Sequence, residues 1–378
     1  MPQPPLVALD IGSTKVACIV ALPTGGPSSY EILGSSLLAY PPGAATWPED
    51  PLAVGRTIEE ALEATGVARE CLKAQVTTSH PAIRSETVRA TITLADEPIA
   101  VRQRDLERLT RVALDHALSV DREALTVERL GCSGNGFEGV PDPRGLPATR
   151  LVGTFHVVTV PMAVRRAIVQ AVESAGLDVS GITYSLQADV VASEEARQPQ
   201  CLLLLDLGGL NVDVGYFEGG RLEASQVVCW GGLTLAHAIA TTLHLTLDQA
   251  LPLSMEGLAS RRAEVKPLLT ERLEELRQAI QDVLADRPLP DRVIVTGRGA
   301  LMDGLVEWVE RVTGVPTLLG RSHRIQAMGN LARQIGLSTA LGLLELVTAG
   351  SAPSKNHPPA RLFDRLLVRT KSLLTEYF

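Results

Sequence analysis

An apolar strand that runs into an Asp-x-Gly turn and out again into a second strand occurs twice in this chain, and that recurrence restricts its fold more than any other feature. The first copy is LVALDIGSTK, from Leu6 to Lys15, continued by an apolar and β-branched run through Ala21; the second spans Cys201 to Tyr216 around Asp206-Leu207-Gly208-Gly209. Each reads as a β-hairpin, and two such hairpins opening two halves predict a duplicated α/β fold. A third glycine turn, Thr296-Gly297-Arg298-Gly299, follows the strand Arg292 to Thr296. Glycine at such a turn lets backbone N–H groups approach phosphate oxygens with no Cβ in the way, while an Asp at the strand end can hold Mg²⁺ through water. One Asp-x-Gly is an ordinary β-turn; three glycine turns in this order predict a polyphosphate clamp. No GxxxxGK[ST] occurs, and no GxGxxG follows an apolar strand and opens a helix as a Rossmann fingerprint requires, which argues against the two commonest nucleotide folds.

At 378 residues the chain is long enough for two or more domains. Apolar residues make up 45% and aromatics only 3%, so the core must be built from Leu, Val, Ile and Ala. A formal net charge of −8 argues against a nucleic-acid binder, which needs clustered Lys and Arg. Cys18, Cys71, Cys132, Cys201 and Cys229 are scattered with no CxxC, and the histidines lack ligand spacing. Neither a disulfide framework nor a zinc site is indicated, and a reducing cytoplasm is expected. The N-terminus lacks a signal-peptide pattern, and no stretch reaches the roughly 20 apolar residues of a spanning helix.

Between the hairpins, helical patterns run from Pro51 to Thr65 and from Met162 to Ala175, with a short strand from Ala74 to Thr78. Residues 79–160 differ in texture: a Thr/Val-rich segment (Thr87 to Leu94), a charged helix (Arg104 to Leu118), a Gly/Pro-rich loop (Gly131 to Pro147) and a strand (Leu151 to Val160) read as a small inserted α+β unit. Beyond the second hairpin, Leu233 to Leu243 and Leu268 to Leu284 read as helices. Residues 349–360 are polar and Pro-rich and read as a flexible linker. The last 18 residues form an amphipathic pattern. At about 100° per residue, Leu362, Phe363, Leu366, Leu367, Leu373, Leu374, Tyr377 and Phe378 share one arc, flanked by Arg361, Arg365 and Arg369. A basic-flanked apolar face of this kind suits the surface of an anionic membrane.

The two hairpins and the TGxG turn resemble the phosphate and adenosine motifs of the actin, Hsp70 and sugar-kinase superfamily. Within it, LDIGSTKVACIV, VTGRGALMDGL, PLLTERLEELRQAI, RLVGTFHVVTV and the terminal amphipathic segment together resemble the FtsA family of bacterial cell-division proteins. That resemblance covers nearly the whole chain. It implies an actin-like two-domain fold with subdomain 1A at 1–78 and 161–191, the insert 1C at 79–160, 2A at 192–230 and 292–348, and 2B at 231–291. The linker at 349–360 and the membrane-targeting helix at 361–378 would follow.

The same resemblance implies Mg-ATP as ligand. Asp10, Gly12, Ser13, Thr14 and Lys15 would face it from one side, Asp206, Gly208, Gly209 and Asp213 from the other, and Gly232, Gly297 and Gly299 would bound the adenosine. Asp10 and Asp206 would organise Mg²⁺ through water. Arg272 stands where the family grips the acidic C-terminal peptide of FtsZ; the alternative is an exposed helical partner of Glu275. Implied partners are therefore the FtsZ tail, anionic lipid, further copies of the chain in actin-like filaments and other division proteins, at the division site on the cytoplasmic side of the membrane. The sequence departs from the pattern at Leu210 and Asn211, where the family has Gly and Thr, at His237, where Asp is common, and in DQALPLSMEG, which lacks the expected Glu and Lys. At most weak ATP hydrolysis is expected, with Gln187 and Asp189 as the candidates for activating water. Two rivals remain: an adaptor resembling the pilus-assembly protein PilM, and a small-molecule kinase of the same superfamily.

Overall fold

A computed structural model describes residues 4–24, 29–40, 50–68, 73–193, 196, 200–320, 322, 324 and 329–350. Its first sheet has the order β11-β4-β1-β2-β3, from β1 (Leu6–Ile11), β2 (Lys15–Pro23), β3 (Tyr30–Ala39), β4 (Lys73–Thr78) and β11 (Asp178–Tyr184). A second sheet repeats the pattern as β16-β15-β12-β13-β14, from β12 (Cys201–Leu207), β13 (Val212–Glu218), β14 (Arg221–Val228), β15 (Arg292–Thr296) and β16 (Thr317–Leu319). In each, a central strand pairs antiparallel with the strand that follows it and parallel with a later one. The register is also shared, since Asp10 sits opposite Thr77 and Asp206 opposite Thr296. The duplication read from the two hairpins is therefore a duplication of whole sheets.

Central strands such as VALDI and LLLLD are nearly continuous apolar runs because both faces of each sheet are covered. On the first sheet, α1 (Pro51–Glu63) and α3 (Met162–Ser174) bury Ile58, Leu62, Ile168 and Val172 against Leu9, Ile11 and Val20. The opposite face, with Ala8, Ala17 and Ile19, receives α4 (Ser185–Ala192) and α9 (Leu331–Gly350). On the second sheet, α5 (Gly232–Leu243), α6 (Leu247–Met255), α7 (Val265–Leu284) and α8 (Leu305–Thr313) join Ile239, Ala250, Leu269, Leu273, Leu276, Ile280 and Val309 to the core of Leu203, Leu205 and Val295. Its other face joins the first core through Leu202, Leu204 and Ile294, beside Tyr184 and Leu186. Local signals start the helices: the Asp50 carboxylate accepts from the Leu52 and Ala53 N–H groups, with Pro51 first in α1.

A four-stranded antiparallel sheet, β5-β10-β7-β8, stands between β4 and α3. It comprises β5 (Arg84–Thr93), β7 (Arg122–Gly134), β8 (Phe137–Val140) and β10 (Arg150–Pro161), with α2 (Gln103–Ala117) laid on one face through Leu106, Leu109 and Ala113. The stretch Gly131 to Pro147, expected as a loop, instead holds the end of β7, all of β8 and the start of β9 (Pro147–Ala148), which pairs antiparallel with β6 (Ile99–Ala100). The hairpin closes at Asn135-Gly136, where Gly136 has φ +77°; its glycines hid strand character from composition alone. A second difference concerns residues 331–348, expected with the second half. They form α9, which crosses back onto β1, β2 and α4 of the first half through Leu337, Leu341 and Leu344. The expected linker begins inside this helix, and the linker beyond residue 350 and the terminal amphipathic segment lie outside the described residues.

The α4–α9 crossing is close because α9 carries Gly342 at the contact: a Cβ there would sit 1.9 Å from the Ala188 carbonyl oxygen. Replacing Gly342 by Val should destabilise the chain by about 3 kcal/mol, the upper end of the overpacking range, read as a lower denaturation midpoint; an unchanged midpoint would contradict this packing.

Candidate functional site

The two hairpin turns meet directly. The N–H of Leu210 donates to Ser13 Oγ at 3.1 Å. Gly209 lies so close that a Cβ would be 2.6 Å from Thr14 Cγ2 and 2.7 Å from Ser13 Oγ. Each turn is closed internally, by Gly12 N–H to the Lys15 carbonyl and by Gly208 N–H to the Asn211 carbonyl, both at 3.0 Å. Tyr40 braces the first, its hydroxyl donating to the Gly12 carbonyl at 3.0 Å. The N-terminus of α5 leans on the second, with Gly232 N–H donating to the Gly208 carbonyl (3.1 Å) and Leu233 N–H to the Gly209 carbonyl (2.9 Å). A Cβ at Gly232 would meet nothing within 4 Å, so this turn borders open space.

Four carboxylates gather beneath the turns. Asp10 is bound by Thr77 Oγ1 (2.9 Å) and by the Lys15 ammonium (2.6 Å), which also donates to the Gly336 carbonyl of α9 at 2.9 Å. Asp213 is fully buried and accepts from the Tyr184 hydroxyl (2.6 Å), the Asn211 amide (2.6 Å) and the Ser79 hydroxyl. Burial raises its carboxyl to about 6 in spite of these donors. Asp206 is pushed to about 8 by burial and then by the charges of Asp213 and Asp10, with Lys15 opposing. Asp189, on α4, accepts from Thr339 Oγ1 at 2.7 Å, while its Oδ2 has no hydrogen-bond partner among the described residues. Burial, then the charge of Asp206, lifts its pKa well above the ordinary range.

The third glycine turn closes on the same place. Gly297 has φ +77°, and a Cβ there would lie 2.3 Å from Asp206 Oδ1; one on Gly299 would lie 2.8 Å from Leu207 Cβ. These glycines let the turn after β15 pack directly on the end of β12, so the structure brings all three turns together.

Other expected residues are placed differently. Gln187 does not turn toward the hairpins: its side chain accepts from Thr126 Oγ1 (2.7 Å) and donates to Glu128 Oε1 (3.0 Å), both on β7. Asp189, two residues on along a helix, necessarily points elsewhere and reaches the carboxylate cluster. Arg272 pairs with Glu275 at 2.6 Å on the exposed face of α7, and His237 is exposed on α5. Thr77, Ser79, Tyr184 and Thr339 were not legible as supports of the carboxylates. Their hydroxyls reach the carboxylates only because strand ends and helices far apart in sequence converge.

No group of three or more His, Cys, Asp or Glu side chains among the described residues could hold a metal by itself. Two oxygen-rich strand ends with a single neighbouring lysine are nevertheless suited to a hydrated divalent cation completed by an anionic ligand. Among the described residues no helix is long and apolar enough to cross a membrane.

Two equivalent sheets, each ending in an Asp-x-Gly hairpin over a shared acidic cleft, define an actin-like fold with an inserted subdomain. The solved PilM–PilN type IV pilus biogenesis complex contains a similar chain (TM-score 0.67, 17% identity, 91% of this chain and 98% of that one). MreB5 of Spiroplasma citri, solved bound to ADP, superposes with TM-score 0.50 at 10% identity over 93% and 99% of the two chains. Residues 81–159 match the SHS2 domain inserted in FtsA. Over nearly its whole length the chain is similar to the cell division protein FtsA: it is 25% identical to that of Pseudomonas aeruginosa over 96% of both chains, and 22% identical to that of Escherichia coli K12 over 90% and 89%.

The folded carboxyl of Asp206 titrates near 8 against an ordinary 3.8. Between those values the folded chain holds a proton that the unfolded chain has released, so this group's stabilisation, complete below about pH 4, is lost as pH rises through 8. An Asp206→Asn variant should therefore melt at a higher temperature than the parent at pH 8.5, with the gap closing by pH 5. A gap independent of pH would show that ionisation is not its source.

Proposed function

We propose that the chain is an actin-like, ATP-binding cell-division protein that links FtsZ to the inner face of the cytoplasmic membrane and self-associates at the division site. The observation that carries the reading is the meeting of the two topologically equivalent hairpins over Asp10 and Asp206, in a chain bearing an FtsA-type SHS2 insertion. Mg-ATP fits the donor set. Backbone amides of the Ser13–Thr14 and Gly208–Gly209 turns and the α5 N-terminus would hold the phosphates, with Gly12 and Lys15 shaping the first turn and Gly297 and Gly299 seating the third beside the adenosine. Asp10 and Asp206 would bind the hydrated Mg²⁺, which supplies charge neutralisation for the phosphates. Asp213, bonded on both oxygens, would support the second turn from behind. A polyphosphate between the turns must replace the Leu210–Ser13 bond, so binding requires the hairpins to part.

Hydrolysis would be weak at most. Gln187 is engaged by β7, and burial with the charge of Asp206 raises the Asp189 pKa and disfavours the ionised form that a general base needs, so neither is poised to activate water. Arg272 would recognise the acidic FtsZ tail by exchanging Glu275 for a peptide carboxylate; an exposed ion pair is worth at most about 1 kcal/mol, so the exchange is inexpensive. Attachment to anionic lipid rests on the amphipathic sequence from Arg361 to Phe378. A pilus adaptor is the second reading, favoured by the similarity to the PilM–PilN complex. The kinase reading has no observation in its favour beyond the shared fold.

Gly209→Val would place a side chain in the contact with Ser13 and Thr14. Calorimetry should show Mg-ATP binding to the parent and at least tenfold weaker binding to this variant, roughly 1.4 kcal/mol; equal affinities would remove the hairpins from the site. An FtsZ C-terminal peptide should bind the parent and lose binding in Arg272→Glu with ATP affinity unchanged. Absence of peptide binding by the parent would favour the pilus reading. In flotation with anionic liposomes, the parent should float and a Leu366→Glu, Leu373→Glu double variant should sediment; if both behave alike, the terminal segment is not the anchor.

A further inference from the structure

The inserted sheet springs from the first half, yet its foot is bonded to the second. Ser79 follows β4 and precedes the insert; its hydroxyl donates to Asp213, while Asn211 Nδ2 donates to Ser79 Oγ at 2.5 Å. Asn211 is 4% exposed, and its amide turns back toward Ser79 and Asp213. A few residues on, the Ser85 hydroxyl donates to the Ser225 carbonyl of β14, and Ser225 Oγ meets His156 Nε2 of β10 at 3.0 Å. Cys229 Sγ approaches the Pro81 carbonyl at 3.7 Å. The intervening turn is stitched internally: His80 accepts from the Ala82 N–H through Nδ1 (3.0 Å) and from the Ile83 N–H through its carbonyl (2.9 Å). Arg122 of β7 clasps the Ala82 carbonyl at 2.8 Å.

We propose that Ser79 is a positioning residue that couples the second hairpin to the inserted sheet, so that a nucleoside triphosphate entering between the hairpins tightens or reorients the insert. The inference rests on the reading of the hairpins as a phosphate clasp. Its physical basis is adjacency: Leu210, whose N–H must leave Ser13 for the hairpins to part, is covalently joined to Asn211. Movement of the second turn therefore either breaks the Asn211–Ser79–Asp213 bonds or carries Ser79 with it. Breaking them would strand buried donors and a buried carboxylate, which favours motion as one body. From Ser79 the displacement passes through the stitched turn to Arg122 and so into β7. Ser79 itself lies at the foot of the insert and contributes no group to the phosphate face.

Hydrogen–deuterium exchange on the full chain, with and without Mg-ATP, tests the coupling, while calorimetry on the same samples reads binding. In the parent, ATP should slow exchange at least fivefold in residues 84–88, 122–128 and 156–160. Ser79→Ala should keep ATP affinity within threefold and lose that response, and Ser79→Thr, which retains the hydroxyl, should keep it. A response that persists in Ser79→Ala, or ATP bound by the parent with no response in the insert, overturns the proposal. If calorimetry finds no ATP binding, the clasp reading fails, and the nucleotide-free samples still decide the coupling. Faster exchange in Ser79→Ala in both 208–213 and 84–88 supports the tie, and faster exchange in only one of them overturns it.

Discussion

Concentrated negative charge sets the terms for the rest of this molecule. Asp10, Asp189, Asp206 and Asp213 come from two sheets and a crossing helix into one poorly solvated cleft, offset by Lys15. Burial makes each ionised carboxylate costly and each neighbour makes the next more so. The fold answers in two ways. Hydroxyls of Thr77, Ser79, Tyr184 and Thr339 satisfy oxygens locally, and Asp206 and Asp189 hold protons well above the ordinary carboxylate range. A cation arriving with an anionic ligand would relieve the same strain, so an acidic centre and the amides of the glycine turns are compatible within one site.

The hairpins close over this centre through small groups only. Gly209 against Thr14, Gly231 against the Gly208 carbonyl, and Gly297 against Asp206 are all approaches that a Cβ would forbid. The consequence is a closed arrangement in which the α5 amides and the Leu210 N–H have partners. A ligand entering between the turns would exchange hydrogen bonds rather than create them, so what moves with the second turn would matter as much as what the ligand touches. Asn211 shows this most clearly, because a residue that looks like a lost phosphate contact in the sequence is bonded to the foot of the insert in the fold.

The α4–α9 crossing fastens the last described helix to the first half, where Gly342 brings the helices to backbone contact and the Asp189–Thr339 bond joins them. Lys15 adds a third strut by reaching the Gly336 carbonyl. Since α9 is the last described element, the first hairpin is bonded directly to the helix that leads toward the chain's C-terminal segment.

The sequence by itself determined the duplicated strand-turn-strand units, the apolar strands, the helix stripes such as Leu269, Leu273, Leu276 and Ile280, the inserted unit and the three glycine turns. All are local patterns of period two or 3.6, or residue types that a turn requires within a few positions. Only the tertiary structure decided that Leu210 meets Ser13 across 197 residues, that α9 returns to the first sheet, and that Gln187 serves the insert while Asp189 serves the cleft. It also decided the roles of Ser79 and Tyr184. A single hydroxyl carries no periodicity and no turn preference that marks it as functional; its role exists only when strands distant in sequence end at the same buried charge. Residues 131–147 failed to read as strands for the converse reason, since their glycines satisfy a hairpin whose β-character comes from pairing with neighbouring strands and not from the side chains themselves.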